Sequence, residues 1–250
     1  MTQTEILIKS TIDGTMQPSL FYSASRSNRP LLIALHTWSY NRFNRLEKMV
    51  PFAEKYDFNL LLPEFRGSNL ETNEHCTLAC GSLYARQDIK DALDYVILHF
   101  DIDANNIFML GCSGGGHMAL MMSGFCPECF KAVAAFVPIT DLAKWAEQNS
   151  KYRPHVFACC GGSQEEMRLR SPITHIDTIA KANLKIFHGK YDAVVPHTHS
   201  LDIYNRILQE YPDARVFLDI FDGGHDLDLN AAAYWFLSQY EDREVTEVTG

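Results

Sequence analysis

One serine of the chain stands among glycines: in "GCSGGGHMAL", Gly111, Ser113 and Gly115 have Gly-x-Ser-x-Gly spacing. The apolar run "NIFML" just before it reads as a buried strand, and "GHMALMMSGF" just after it carries apolar residues at helical spacing. Ser113 therefore occupies a strand-to-helix turn, which lifts a hydroxyl above the end of a sheet. Such a turn strains the backbone of its central residue, and neighbours without side chains make room for it. The chemistry this suggests is nucleophilic attack. A glycine-rich phosphate loop is the competing reading, but the Walker lysine is missing and Gly-x-Gly-x-x-Gly does not occur.

A serine hydroxyl becomes a useful nucleophile only when a base takes its proton, and that base needs an acid to orient it. In an open parallel sheet these partners project from loops at the carboxyl ends of later strands, in the order serine, acid, histidine. That order selects Asp192 in "HGKYDAVVP", directly after "LKIFHG", and His225 in "DGGH", directly after "RVFLDIF". His197 and His199 of "PHTHS" also follow Asp192, but they open a helix, where polar residues are ordinary caps. Asp222, Asp226 and Asp228 compete for the role of acid; they share the loop of His225 or the helix after it.

The elements that must hold these residues follow from the apolar pattern. "TEILIKS" and "MQPSLFYS" flank Asp13-Gly14, a dipeptide suited to a tight hairpin turn, so the chain opens with antiparallel strands. Short continuous apolar runs then alternate with segments of helical spacing: "LLIALH", "FNLLLP", "NIFMLG", "KAVAAFV", "LKIFHG" and "RVFLDIF" as strands, with "RLEKMVPFAEKY", "LYARQDIKDALDYVILHF", "GHMALMMSGF", "HSLDIYNRILQEY" and "AAAYWFLSQYE" as helices. Repeated strand-helix-strand units predict an α/β fold: a mostly parallel sheet with helices on both faces and an N-terminal antiparallel hairpin. Residues 64–82 and 139–171 fit neither pattern and carry aromatic and titratable side chains, which marks them as walls of a site. The second lies between core strands and reads as a cap-like insert in a single domain spanning residues 1–250. The final "REVTEVTG" reads as a frayed tail.

Composition narrows the partners. A chain of 250 residues with 46% hydrophobic residues can bury one large core, and its formal charge of -9 is unsuited to a phosphate backbone, so no nucleic acid is expected. The N-terminus lacks the pattern of a signal peptide and no apolar run approaches the roughly 20 residues of a membrane span, which places the expected address in the cytoplasm without a membrane partner. The 7 cysteines then read as reduced, buried thiols. Cys126 and Cys129 have zinc-knuckle spacing, yet their only candidate companions, Cys159 and Cys160, are adjacent and make poor tetrahedral ligands, so no metal and no cofactor are expected.

Three of these motifs, in this order, resemble the catalytic domain of the prolyl oligopeptidase family of α/β-hydrolases: "PEFRG" is similar to its Asp-Tyr-Arg-Gly stretch, "GCSGGGHMAL" to its nucleophile elbow, and "HGKYDAVVP" to its His-Gly-x-x-Asp-x-x-Val-Pro acid loop. The resemblance implies Ser113 as nucleophile, Asp192 as acid and His225 as base. The oxyanion of such chemistry needs the N–H after the nucleophile, here Gly114, and a second from a loop after an early strand. "LHTWSYN" resembles the family's Leu-His-Gly-x loop with Thr37 in place of glycine, which makes the Trp38 N–H the expected second donor and the Thr37 N–H its alternative. Thr37, Arg66 and Trp145 are expected to line the substrate pocket; the alternatives are that Arg66, Glu64 and His75 form a solvated loop with an internal ion pair and that Trp145 packs the insert onto the domain. The propeller that screens peptides in prolyl oligopeptidases has no counterpart in this sequence, and an alkoxide leaves more readily than an amine. A serine carboxylesterase acting on a small ester is therefore expected first, a serine peptidase acting on short peptides second, and a non-catalytic binding protein of the same fold third.

Overall fold

The computed structural model describes residues 1–240; the C-terminal reading of 243–250 lies outside the described residues. Eight strands form a sheet in the order β1-β2-β4-β3-β5-β6-β7-β8, with β1 Thr2–Lys9, β2 Met16–Ser23, β3 Arg29–Leu35, β4 Asn59–Pro63, β5 Ile102–Cys112, β6 Ala132–Phe136, β7 Leu184–Gly189 and β8 Val216–Phe221. β1 pairs antiparallel with β2 and β2 antiparallel with β4, while every pairing from β4 onward is parallel. The carboxyl ends of β3, β5, β6, β7 and β8 consequently share one edge, and every loop expected to carry chemistry leaves from it.

Strand alternation decides which helix covers which face. Along β5, Ile107 and Met109 join one core cluster while Phe108, Leu110 and Cys112 join the other. The first face is covered by α2 (Leu83–His99), α3 (Gly114–Phe125) and α8 (Thr198–Glu210), through Ile89, Leu93, Val96, Met118, Met122, Ile203 and Ile207. The second is covered by α1 (Leu46–Tyr56) and α9 (Leu229–Gln239), through Met49, Phe52, Ala233 and Phe236. Helix α3 is buried along most of its length, which explains why its sequence is apolar on all sides instead of amphipathic. Three short helices, α4 (Leu142–Gln148), α5 (Arg153–Cys159) and α6 (Gln164–Leu169), fill most of residues 139–171. Their apolar side chains form a third cluster with Trp38, Cys76, Cys80 and Val195.

One detail departs from the sequence reading. The β1–β2 connection is longer than a tight turn: it runs over residues 10–15, closed by Ser10 N–H donating to Thr15 O (2.8 Å), and only Gly14 within it has positive φ, 76°. The loop is drawn out because it docks on α2, with Thr11 N–H donating to Asp91 (2.7 Å). Arg66, expected in the pocket wall or in an internal ion pair, makes the ion pair. Its guanidinium is committed to Asp88 (2.5 Å), Asp13 (2.8 Å) and Ser10 (3.1 Å), clamping the hairpin loop and the 64–82 loop to α2. Glu64 is likewise engaged, by Arg42 at 2.9 Å, whereas His75 is exposed.

With Arg66 and Asp88 side chains only 3% and 1% exposed, removing one strands the other's charge without water. Arg66→Ala should therefore lower the unfolding free energy by about 3–5 kcal/mol in a urea titration. A loss below about 1 kcal/mol, the range of exposed pairs, combined with a raised KM, would return Arg66 to the pocket.

Candidate active site

Ser113 adopts φ 59°, ψ −119°, a conformation that L side chains rarely take. It is held there from both sides: its N–H donates to Phe136 O at the end of β6 (2.9 Å), and its carbonyl accepts from His117 N–H in the first turn of α3 (2.8 Å). The flanking glycines are required by contact. A Cβ on Gly111 would lie 2.0 Å from Gly115 O, and one on Gly114 would lie 2.4 Å from Trp38 N. The backbone of α3 thus starts in direct contact with the β3 loop, and the Ser113 side chain is half-buried at the sheet edge.

That close approach places the amide of Trp38 beside Gly114. Thr37 N–H donates to Asn44 Oδ1 (3.0 Å), which removes it as a free donor, while no acceptor among the described residues takes the Trp38 N–H. Gly114 is the first residue of α3, so its N–H has no acceptor within the helix. Two adjacent amides of this kind can receive a developing negative charge. Thr37 is not among the residues with positive φ, so a side chain is tolerated where the related loop has glycine. Thr37 faces a small cavity with Asn44, Arg45, Cys112 and Leu227, on the flank of the site.

Asp192 follows β7 and is 7% exposed as a residue, with its side chain fully covered. Its Oδ1 accepts from the N–H groups of Val194 (2.8 Å) and Val195 (2.9 Å); its Oδ2 accepts from His225 Nδ1 (2.7 Å) and lies 3.3 Å from His188 Nε2. Burial pushes this carboxyl upward, but the donors from His188, His225 and Val195 outweigh it and hold it well below the usual carboxylate range. His225 Nδ1–H is thereby engaged, leaving Nε2 on the other side of a ring whose side chain is 22% exposed. An imidazole in this state can accept a proton at Nε2 and be stabilised when charged.

Two of the competing residues, His199 and Asp228, have other work. His199 is fully buried, bonded to Thr140 Oγ1 (3.2 Å) and Gln148 Oε1 (3.0 Å), and burial pushes it down to about 3. Asp228 caps α9, accepting from Asn230 N–H (2.9 Å) and Ala231 N–H (3.1 Å). Cys126 packs in the α3 cluster and Cys159 and Cys160 in the insert cluster, so the fold does not gather the two cysteine groups. Among the described residues no group of three or more His, Cys, Asp or Glu could hold a metal ion. No helix among them is long and apolar enough to cross a membrane.

Trp145 is brought to the site but, contrary to the expectation of a pocket wall, is only 1% exposed. Its ring meets Trp38 edge-on at 4.9 Å and Tyr152 at 4.8 Å, and its Nε1–H donates to Val194 O in the acid loop (2.9 Å). It works as a fastener between the insert, the Trp38 loop and the Asp192 loop. Tyr152, half-buried in front of it, is the more accessible aromatic of this group. Sequence reasoning missed Asn69, whose N–H donates to Trp38 O (2.7 Å) and whose Oδ1 accepts from Cys80 N–H (2.8 Å). It also passed over His188, although that residue opens the quoted acid-loop motif; the histidine preceding the glycine was the available signal.

Comparison with known proteins places the chain in a family. Residues 47–240 match the prolyl oligopeptidase family, a span that begins just after the Trp38 loop. Acylamino-acid-releasing enzyme 2 of Oryza sativa subsp. japonica is 31% identical over 220 residues, covering 79% of this chain and 28% of the relative, so the chain spans little over a quarter of that protein's length. Acetylxylan esterase A of Emericella nidulans is 23% identical over 183 residues, covering 68% of this chain and 58% of the esterase. Among solved structures, an esterase from Pyrococcus furiosus superposes with TM-score 0.75 at 17% identity, covering 96% of this chain and 91% of that one. An acylaminoacyl peptidase in complex with Z-Gly-Gly-Phe-chloromethyl ketone superposes with TM-score 0.72 at 20% identity, covering 89% and 37%. The fold is that of an α/β-hydrolase, and the chain belongs to the prolyl oligopeptidase family.

Proposed function

We propose that this chain is a serine hydrolase that cleaves small, uncharged esters through an acyl-enzyme, with Ser113 as nucleophile, His225 as general base and Asp192 as the acid that orients it. The observation that carries the assignment is the 2.7 Å bond between Asp192 Oδ2 and His225 Nδ1, on the sheet edge where Ser113 takes its φ of 59°. His225 Nε2 takes the hydroxyl proton as Ser113 Oγ attacks the ester carbonyl, and the N–H groups of Gly114 and Trp38 receive the oxyanion. His225 then returns the proton to the departing alkoxide. Water repeats the sequence against the acyl-enzyme.

Three arginines around the site are engaged within the protein, which supports a neutral substrate. Arg42 is engaged by Glu64, Arg66 by Asp88 and Arg170 by Glu166 (2.6 Å), so these cations are not available to anchor a substrate carboxylate. The aromatic and aliphatic insert, with Tyr152 at its accessible side, would act as a cap over an apolar acyl or alcohol group. A second reading is cleavage of short blocked peptides. It is favoured by the 31% identity to a protein named an acylamino-acid-releasing enzyme, and it uses the same three residues.

Ser113→Ala should abolish both fluorophosphonate labelling and turnover while leaving the melting temperature near that of the parent; residual activity within tenfold of wild type would remove Ser113 from the mechanism. A panel of p-nitrophenyl esters and acylaminoacyl anilides should show the larger kcat/KM on short esters, and the opposite ranking would establish the peptidase reading. Because Asp192 is held below the ordinary carboxylate range, it stays ionised between about pH 5 and pH 8. Asp192→Asn should consequently lower kcat by about 10²–10⁴ by a similar factor across that window; an effect confined to one end of it would contradict the role of permanent anion. Gly114→Ala, whose Cβ meets Trp38 N, should cost about 10²-fold or more in kcat without unfolding the protein, measured alongside circular dichroism.

A further inference from the structure

His188 is a charged-capable side chain in the middle of the core: it lies in β7, is 0% exposed, and plays no part in the mechanism above. Its surroundings settle how it is protonated when neutral. Nε2 faces two groups that can only accept, Val195 O at 2.8 Å and Asp192 Oδ2 at 3.3 Å, so Nε2 must carry the hydrogen. Nδ1 is then bare and accepts the hydroxyl of Ser200, itself fully buried on α8, at 2.7 Å. Nε2 thus donates to the backbone carbonyl of the loop that carries Asp192 and lies 3.3 Å from the carboxylate itself.

This arrangement does more than satisfy a buried ring. The Asp192 carboxylate could pivot about its side-chain torsions, and its Oδ1 is fixed by Val194 and Val195 N–H. Oδ2 would otherwise answer to His225 alone, the one partner that must change charge during turnover. His188 sets an N–H, its nitrogen 3.3 Å from Oδ2, that does not depend on the reaction, and by gripping Val195 O it holds the loop whose amides fix Oδ1.

We propose that His188, with Ser200 behind it, is a positioning residue for the acid of the site, extending the His225–Asp192 pair into the core. The proposal rests on the assignment of Asp192 and His225 made above. His188 touches no substrate. It keeps the carboxylate aimed at His225 Nδ1, which keeps Nε2 aimed at the serine, so its loss should appear in the chemical step and not in binding.

The test compares His188→Phe, which removes the donor, with His188→Gln, whose amide N–H can reach the same two acceptors. The Phe variant should lose about 10- to 100-fold in kcat with KM within about twofold, and its fluorophosphonate labelling should slow in parallel. The Gln variant should recover most of that loss. Equal kcat for the two variants, or a change in KM alone, would overturn the proposal. Should His188→Phe fail to fold, Ser200→Ala and the wild-type protein decide the matter. Imidazole ¹⁵N spectra at pH 8, assigned by difference against His188→Gln, should show His188 as the Nε2–H tautomer, and Ser200→Ala should shift its Nδ1 resonance. An Nδ1–H tautomer in the wild type would overturn the proposal even if no variant folds. Ser113→Ala separates the two levels: an active Ser113→Ala enzyme would sink the mechanism itself, whereas an inactive one beside a His188→Phe enzyme of wild-type kcat would sink only the role of His188.

Discussion

The backbone of Ser113 is held in a conformation it would not choose, and much of the surrounding architecture exists to hold it there. A serine at φ 59° is tolerable only if the chain is fixed on both sides, which the bonds to Phe136 O and His117 N–H accomplish. Holding it also requires α3 to begin in contact with β3, β5 and β6 at once, and that contact is possible only without side chains at Gly111, Gly115 and Gly116. The strain has a return. The same contact that demands Gly114 lays the Trp38 amide beside it, so the turn that exposes a hydroxyl also assembles a pair of N–H donors. In the proposed mechanism, nucleophile presentation and charge stabilisation become one packing problem.

A second constraint runs through the carboxylate. Asp192 is covered from solvent, and a buried charge needs donors in proportion to the hydration it gives up. Amides of Val194 and Val195 and the rings of His188 and His225 supply them. Because that satisfaction is nearly all local to the 188–195 turn, the acid is preorganised by the fold before any substrate arrives. The insert reinforces the same turn from the outside, where Trp145 and Asn149 both donate to Val194 O at 2.9 and 3.1 Å. Residues 139–171 therefore contribute to the rigidity of the site as well as to its covering.

The charged residues of the long loops follow a common logic. Arg66, Arg42 and Arg170 each bridge segments distant in sequence and use their guanidinium forks to satisfy several acceptors at once. Loops without regular structure have no ladder of their own, so side-chain forks take over the task of satisfying backbone and carboxylate groups. This is why residues that look like candidate substrate anchors, being polar and close to the site along the chain, are spent on holding the loops in place.

What the sequence by itself determined were the features encoded over short distances. Short continuous apolar runs and period-3.6 patterning set the strands and helices, the glycines around Ser113 marked the turn, and the direction of a parallel sheet put Asp192 and His225 on the edge where they lie 2.7 Å apart. What only the tertiary structure decided were the partnerships between distant residues. Arg66 reads alike as a ligand for substrate or for Asp88, 22 positions on. Trp145 reads alike as a wall or as a fastener for Val194, 49 positions on. The choice between the Thr37 and Trp38 amides turned on Asn44 occupying the first. A side chain's type states which bonds it can make, but which one it makes depends on what the folded chain brings within about 3 Å, and no local pattern records that.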